Sequence, residues 1–333
     1  MFFSKLGIDL GTSNTLIFAP KKGILINEPS IIVVDKKSKK PLAMGLDAIY
    51  MIGRIPDELE IISPINKGVI ADYTYCEIML NYFINKISGK FRFIRPEIIV
   101  SVPEKINSAE KRAVIDICVS SGAKTAYVVS ESIVSAIGCS VPIASPSGNM
   151  IINIGGGTTE IAVISLGSII VSESCDTSGN TIDQSIVDYL KKMYGLIIGI
   201  RTACLIKEKY GSAFYTRKKK FIEVKGRDLF SGLPRSVNVN VNDITFAISD
   251  DLNSISDSIK KVLSITPPEL ASDIYDNGII LTGGLSSLNG IAKLFTKALQ
   301  VSVSTSSDNL FSTINGIGTI IDNMDFYKKS VLK

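Results

Sequence analysis

Residues 151–160 read IINIGGGTTE, an apolar strand that runs into three glycines, two threonines and a glutamate. The same plan stands once more near the N-terminus. LGIDLGTSNTLIF (6–18) and IINIGGGTTEIAV (151–163) each pass from an apolar strand, through one acidic or amide residue and a glycine-rich turn with hydroxyls, into a second apolar strand. Asp9 falls against Asn153, Gly11 against Gly155 and Thr15 against Thr159. Either hairpin alone is also compatible with an ordinary tight turn in which glycine supplies positive φ. Recurrence of the whole pattern argues for a duplicated α/β fold, each half offering a phosphate-binding turn, with the ligand between them. Gly11, Gly155, Gly156 and Gly157 let backbone N–H groups approach an anion, and Thr12, Ser13, Asn14 and Thr158 add polar contacts. Asp9, without a basic neighbour in sequence, then serves the metal that accompanies a polyphosphate. No Walker A loop competes: SSGAKT (120–125) lacks the earlier glycine and reads as a helix end followed by a strand.

Composition narrows the chemistry further. A chain of 333 residues with 45% hydrophobic content can bury a large core and suggests about two domains. The net charge of +4 arises from 36 basic and 32 acidic residues, so bulk charge does not call for nucleic acid, and none is expected as a partner. Five cysteines, odd in number and without close pairs, fit a reducing compartment. Histidine is absent, which removes the Ser-His-Asp triad and the commonest zinc ligand together. What remains is chemistry by carboxylates, hydroxyls, amides and a hard metal. The longest apolar stretch, IAVISLGSIIV (161–171), lies between Glu160 and Glu173, so no membrane span is expected.

The remaining chain alternates strands and helices. PSIIVVDKKSKKPLAMG (29–45) reads as a hairpin with a basic turn, and PEIIVSVP (96–103) and TAYVVSE (125–131) as buried parallel strands flanking a helix. Ile244, Ile248, Leu252, Ile255, Ile259 and Val262 recur at helical spacing after Asp243 as N-cap, a core stripe.

These residues carry a resemblance. The paired turns, with LTGGLSSLNG (281–290) as a third glycine-rich turn, resemble the superfamily of actin, sugar-kinase and heat-shock-chaperone ATPases. Within it, NEPSIIVV (27–34), GVIADY (68–73), GRDLFSGLPRS (226–236) and TPPELASDI (266–274) are similar to the MreB family of bacterial actins over nearly the whole chain. The resemblance implies an actin-like (ribonuclease H-like) fold of two lobes and four subdomains around a nucleotide cleft. It assigns 1–30, 68–140 and 314–333 to the first large subdomain and 31–67 to its small one. It assigns 141–178 and 251–313 to the second large subdomain and 179–250 to the second small one. ATP and Mg2+ are the implied cofactors. Head-to-tail protofilaments, commonly paired, are the implied assembly, with related filament proteins as further partners. By the same resemblance, Gly283, Gly284, Leu285 and Ser286 lie under the nucleotide, and Lys207 and Glu208 lie near adenine and ribose. Glu131 matches the glutamate that orients water toward the γ-phosphate, and Thr158 a threonine of the same network.

Three departures stand out. Asn153 replaces the family's aspartate, keeping hydrogen bonds and losing charge at a metal-facing position. A loss of about 1–3 kcal/mol of transition-state stabilisation, roughly 5- to 150-fold in rate, is expected. Ser130 and Ser132 flank Glu131 where the family reads Glu-Glu-Pro, and Cys204 stands where it has glutamate.

The same resemblance places an apolar loop against the inner face of the cell membrane. Phe93 and Ile94, interleaved with Lys90, Arg92 and Arg95, suit an anionic bilayer surface, or else simply cover the core. Phe2 and Phe3 resemble a reduced N-terminal anchor. TRKKK (216–220) reads as a solvated loop. The sequence therefore points to an ATP-binding filament subunit with slow hydrolysis that organises cell shape, or drives motility if the cell lacks a wall. A filament partner with little hydrolysis is the alternative that Asn153 favours. A metabolic phosphotransferase would need a substrate-binding insertion and an acid or base for the acceptor, neither of which is found.

Overall fold

The repeat is visible in strand register. The computed structural model describes residues 3–88 and 95–327. One sheet contains β1 (Lys5–Leu10), β2 (Asn14–Ala19), β3 (Gly23–Pro29), β4 (Glu97–Val102) and β5 (Thr125–Ser130), in the order β5-β4-β1-β2-β3. The other contains β6 (Asn149–Ile154), β7 (Thr159–Ser165), β8 (Ser168–Cys175), β9 (Ile279–Thr282) and β10 (Val303–Thr305), in the order β8-β7-β6-β9-β10. In each, three strands form an antiparallel meander and two more add in parallel beyond the first. Asp9 pairs with Leu16 and Leu10 with Thr15; Asn153 pairs with Glu160 and Ile154 with Thr159. These are the pairs that alignment of the two halves requires, and the duplicated fold is the fold observed.

Helices explain why β6 and β7 are buried at every residue. Strand side chains alternate between faces, and both faces here are covered. Ile152, Ile154, Ile161 and Val163 enter an outer core with a helix at Ser249–Ile265. Ile151, Ala162 and Ile164 enter a central core between the sheets. That central core also takes Leu16, Ile99 and Val129 from the first sheet, and is filled by α1 (Glu131–Gly138) and a helix at Ser312–Asp322. The two helices cross where a Cβ on Gly316 would lie 1.8 Å from the Val134 carbonyl oxygen, so the backbones meet directly. Each helix follows the last parallel strand of one sheet, and together they join the lobes.

Each lobe has an insertion with its own small sheet. Ile32–Asp35, Pro41–Met44 and Leu59–Ile62 form one, the first two strands matching the predicted hairpin. Leu196–Ile197, Phe221–Asp228 and Pro234–Asn240 form the other, reached through α2 (Gly179–Tyr194) and α3 (Ile200–Tyr210). The apolar stripe from Ile244 to Val262 is buried throughout, but it is carried by two helices. The first, Val241–Ala247, is capped by the Asn240 side chain accepting from Asn242 N–H, not by Asp243. The first helix ends at Ala247, and the second starts at Ser249 after Ile248. Among the described residues no helix is long and apolar enough to cross a membrane.

Candidate functional site

The β1–β2 and β6–β7 turns meet across the two lobes. A Cβ on Gly156 would lie 1.8 Å from Ser13 Oγ, and one on Gly157 2.3 Å from Thr12 Oγ1. Glycine is required there so that the turns can touch, in addition to freeing N–H groups for an anion. The first turn is braced from below: Ser30 Oγ donates to the Gly11 carbonyl at 2.7 Å and pairs with Thr15 Oγ1 at 2.9 Å. Thr12 Oγ1 accepts from Gly68 N–H at 2.9 Å, and Ser13 Oγ reaches Asn180 Oδ1 at 3.4 Å. Asn14 turns away, its amide donating to Asn27 Oδ1 at 2.9 Å on β3. The second turn rests on the start of α2, where Gly179 and Asn180 N–H groups donate to the Gly155 and Gly156 carbonyls.

The third turn closes over the end of β6. Gly283 has φ +86°, and a Cβ there would lie 2.5 Å from Asn153 Oδ1. Asn309 holds this turn, donating from Nδ2 to Ser286 Oγ at 2.7 Å while its carbonyl accepts from Gly283 N–H at 3.0 Å. The Leu285 and Ser286 side chains are buried, so Gly283 and Gly284 leave only backbone to face a ligand. Lys207 is also engaged: its Nζ lies 2.9 Å from Asp183 Oδ1 and donates to the Gly179 carbonyl at 2.8 Å. Glu208 is exposed and accepts from Cys204 Sγ.

Between the turns lie four acids and an amide. Ser101 Oγ donates to Asp9 Oδ1 at 2.9 Å, yet burial pushes Asp9 up to about 6. Asn153 Nδ2 donates to Glu131 Oε1 at 2.7 Å. Burial, followed by the charges of Asp9, Glu160 and Glu104, pushes Glu131 well above the usual carboxylate range. Glu160 accepts from Ser174 Oγ at 2.6 Å and is raised by burial. Glu104 accepts from Ser130 Oγ, and burial with the charge of Glu160 pushes it up to about 7. No cation counters Asp9 or Glu131 among the groups that set their ionisation. This oxygen-only donor set fits a hard divalent cation. Among the described residues no three acids converge as direct metal ligands, so contact through water suits Asp9 better.

The structure thus brings Asp9, Glu131, Asn153, Thr12, Ser13 and the second turn together and leaves Asn14, Leu285, Ser286 and Glu208 otherwise occupied. Phe3 is corrected as a membrane residue: at 8% exposure it packs in the outer core of the first lobe. Phe2, Phe93 and Ile94 lie outside the described residues. Ser101, Glu104, Glu160, Asp183 and Asn309 were missed. Glu160 stood inside the quoted stretch, but only the closed hairpin shows that its position points inward. An open groove of about 510 Å³, lined by Glu173, Asp250, Asp257 and Lys261 among others, includes none of the turn residues.

Two five-stranded sheets of one topology, joined by crossing helices and meeting at paired glycine turns, define an actin-like protein. Solved structures agree. MreB5 of Spiroplasma citri bound to ADP matches with a TM-score of 0.92 at 30% identity, over 97% of this chain and 98% of that one. The MamK double helical filament matches with a TM-score of 0.80 over 95% and 98%, and at 22% identity it supports the fold alone. The MreB/Mbl protein family model matches residues 3–329. The cell shape-determining protein Mbl of Bacillus subtilis is 43% identical over all of both chains, and the cell shape-determining protein MreB of Escherichia coli K12 is 37% identical over 98% of this chain and 96% of its own. This chain belongs to the MreB/Mbl family.

Proposed function

We propose that the chain binds ATP with magnesium between its paired turns, hydrolyses it slowly and polymerises head to tail into filaments that organise cell shape at the membrane surface. The observation that carries the nucleotide reading is the juxtaposition of two register-matched turns over buried Asp9 and Glu131, whose ionisation no cation among the described residues counters. The MreB5 neighbours were solved with ADP and with AMPPNP, which supports it. The turns would part to admit the phosphates, with backbone N–H groups of residues 11–13 and 155–158 facing them. Asp9 and Asn153 would hold magnesium through water, and the ion supplies charge neutralisation on the phosphates. Glu131 orients the attacking water, with its carboxyl fixed by the Asn153 amide. Thr158 supports that water from the facing turn. The missing carboxylate at Asn153 leaves less charge to balance transfer, hence slow turnover.

Assembly has support at two poles. The turn after Phe221–Asp228 exposes Phe230, at 89%, with Leu229 and Leu233, and it sits at the far end of α2 where Leu229 N–H bonds the Gly195 carbonyl. Tyr275 is exposed near the opposite end of β6, where Gly148 N–H bonds Asp273 on the same helix, Pro268–Asn277, and Ile265 is exposed at the end of the helix before it. The 16 residues of α2 span about 24 Å and the 6 of β6 about 20 Å, and both meet the same turn. A head-to-tail contact between these poles fits an actin-like repeat of about 50 Å. Electron microscopy with Mg-ATP should show protofilaments of that repeat, lost in Phe230→Asp; a monomer at every concentration and nucleotide state would end the filament reading. The four-subdomain division (31–67 and 179–250 as the small parts) belongs to this proposal, as does membrane attachment through Phe2, Phe93 and Ile94. Liposome co-sedimentation of Phe93→Ser/Ile94→Ser tests the latter, with reduced binding expected.

A further inference from the structure

Behind Glu131, the loop that follows β4 makes contacts that the proposed hydrolysis leaves unused. Ser130 is the N-cap of α1, and Glu131 is that helix's first residue. The Ser130 hydroxyl accepts from Ile133 N–H at 3.2 Å and donates its one proton to Glu104 Oε1. Glu104 therefore fixes the cap, and through it the start of the helix bearing Glu131. The next residue, Lys105, reaches the other lobe: its Nζ donates to Glu173 Oε1 at 3.1 Å and to the Ser174 carbonyl at 3.0 Å, both on β8. Ser174 in turn holds Glu160.

We propose that Glu104 and Lys105 act together as positioning residues that couple closure of the two lobes to the placement of Glu131. Closure lets Lys105 dock on β8; docking orders the loop, and the ordered loop presents Glu104 to the helix cap. Stability does not account for the bridge, because the Lys105 side chain is 56% exposed and such pairs contribute little. Its geometry is the informative part: one dipeptide has a partner in each lobe. The burial and charge that raise Glu104 place its carboxyl among the cleft acids. This inference rests on Glu131 as the water-orienting residue.

Hydrogen exchange of segment 131–135, read by mass spectrometry on the full chain without nucleotide and with Mg-ADP, tests it without requiring turnover. Glu104→Ala and Lys105→Ala should each speed exchange about three- to tenfold, the scale of a lost side-chain cap. The double variant should be no faster than either, since both lie on one path. Lys105→Arg should behave like wild type. Lys261→Ala, which removes only the second partner of Glu173 within the same lobe, should also do so. Unchanged exchange in Lys105→Ala, or effects that multiply in the double variant, would overturn the coupling. A wild type that binds ATP but releases no phosphate would instead count against hydrolysis, and the exchange result would stand separately.

Discussion

The β1–β2 and β6–β7 hairpins share a register, a glycine turn and a place in equivalent sheets, yet the matched residues near the ends of their first strands, Asp9 and Asn153, differ in chemistry. Asp9 keeps its carboxyl, accepts one hydrogen bond from Ser101 and has no basic partner setting its ionisation. Asn153 has no charge, and its amide is spent on Glu131. Duplication explains the common scaffold, while the local partners explain the different tasks: one turn is left short of a cation, and the other steadies a buried carboxyl. An aspartate at 153 would put two acceptors where one hydrogen bond now stands, unless a cation or proton intervened.

The largest expected effect comes from the group that the second hairpin steadies. Glu131→Ala should lower phosphate release by about 10²-fold, on the scale of removing a transition-state contact, with ATP affinity little changed. Asn153→Asp sharpens the comparison by making the two hairpins alike. It should raise single-turnover release several-fold with ample magnesium and lower the melting temperature without it, because the carboxylate would then face Glu131 uncompensated. A rate and melting temperature equal to wild type would remove Asn153 from both roles. Thr158→Ala should slow release more mildly, by about two- to fivefold, a loss on the scale of one ordinary hydrogen bond.

The smallest effect concerns the acids themselves. The folded value of Glu104 is about 7 against an ordinary value of 4.5, so the native state holds a proton that the unfolded chain has already lost between those values. Its contribution to stability is complete below about pH 4.5 and is lost as pH rises through about 7. Asp9, Glu131 and Glu160 act in the same direction, and Lys111 opposes the shift at Glu104. The melting temperature of nucleotide-free protein should fall by a few degrees from pH 5.5 to 8. Glu104→Gln should fall less, and an equal fall would show that Glu104 does not titrate in that window.

Much of this was legible in sequence because a repeat reports on itself. The alignment of Asp9 with Asn153 needed no structure, and it returned as strand register. Buried strands such as β4 and β5 were readable from apolar runs between turn signals. The stripe from Ile244 to Val262 gave its burial but not its break, since Ile248 keeps right-handed helical angles and so preserves the spacing that marks a core face. Ser101, Glu104, Asp183 and Asn309 lie outside the glycine turns, so no motif pointed to them. Glu104 follows a strand with no pattern around it, and its meaning depends on Ser130, 26 positions away. The resemblance placed Lys207 near the nucleotide, but its ion pair with Asp183 was not legible because that partner lies on another helix. Phe3 looked like an anchor because sequence does not show which apolar residues at a terminus are covered.

Calorimetric titration of Mg-ATP into the wild type and Asp9→Ala bears most directly on whether two unlike hairpins make one nucleotide site. The wild type should bind one nucleotide per chain, and Asp9→Ala should bind Mg-ATP at least about tenfold more weakly while losing little affinity for ATP in excess chelator, since the lost group acts through the cation. Absence of binding by the wild type, or equal Mg-ATP affinity in the two proteins, would contradict it.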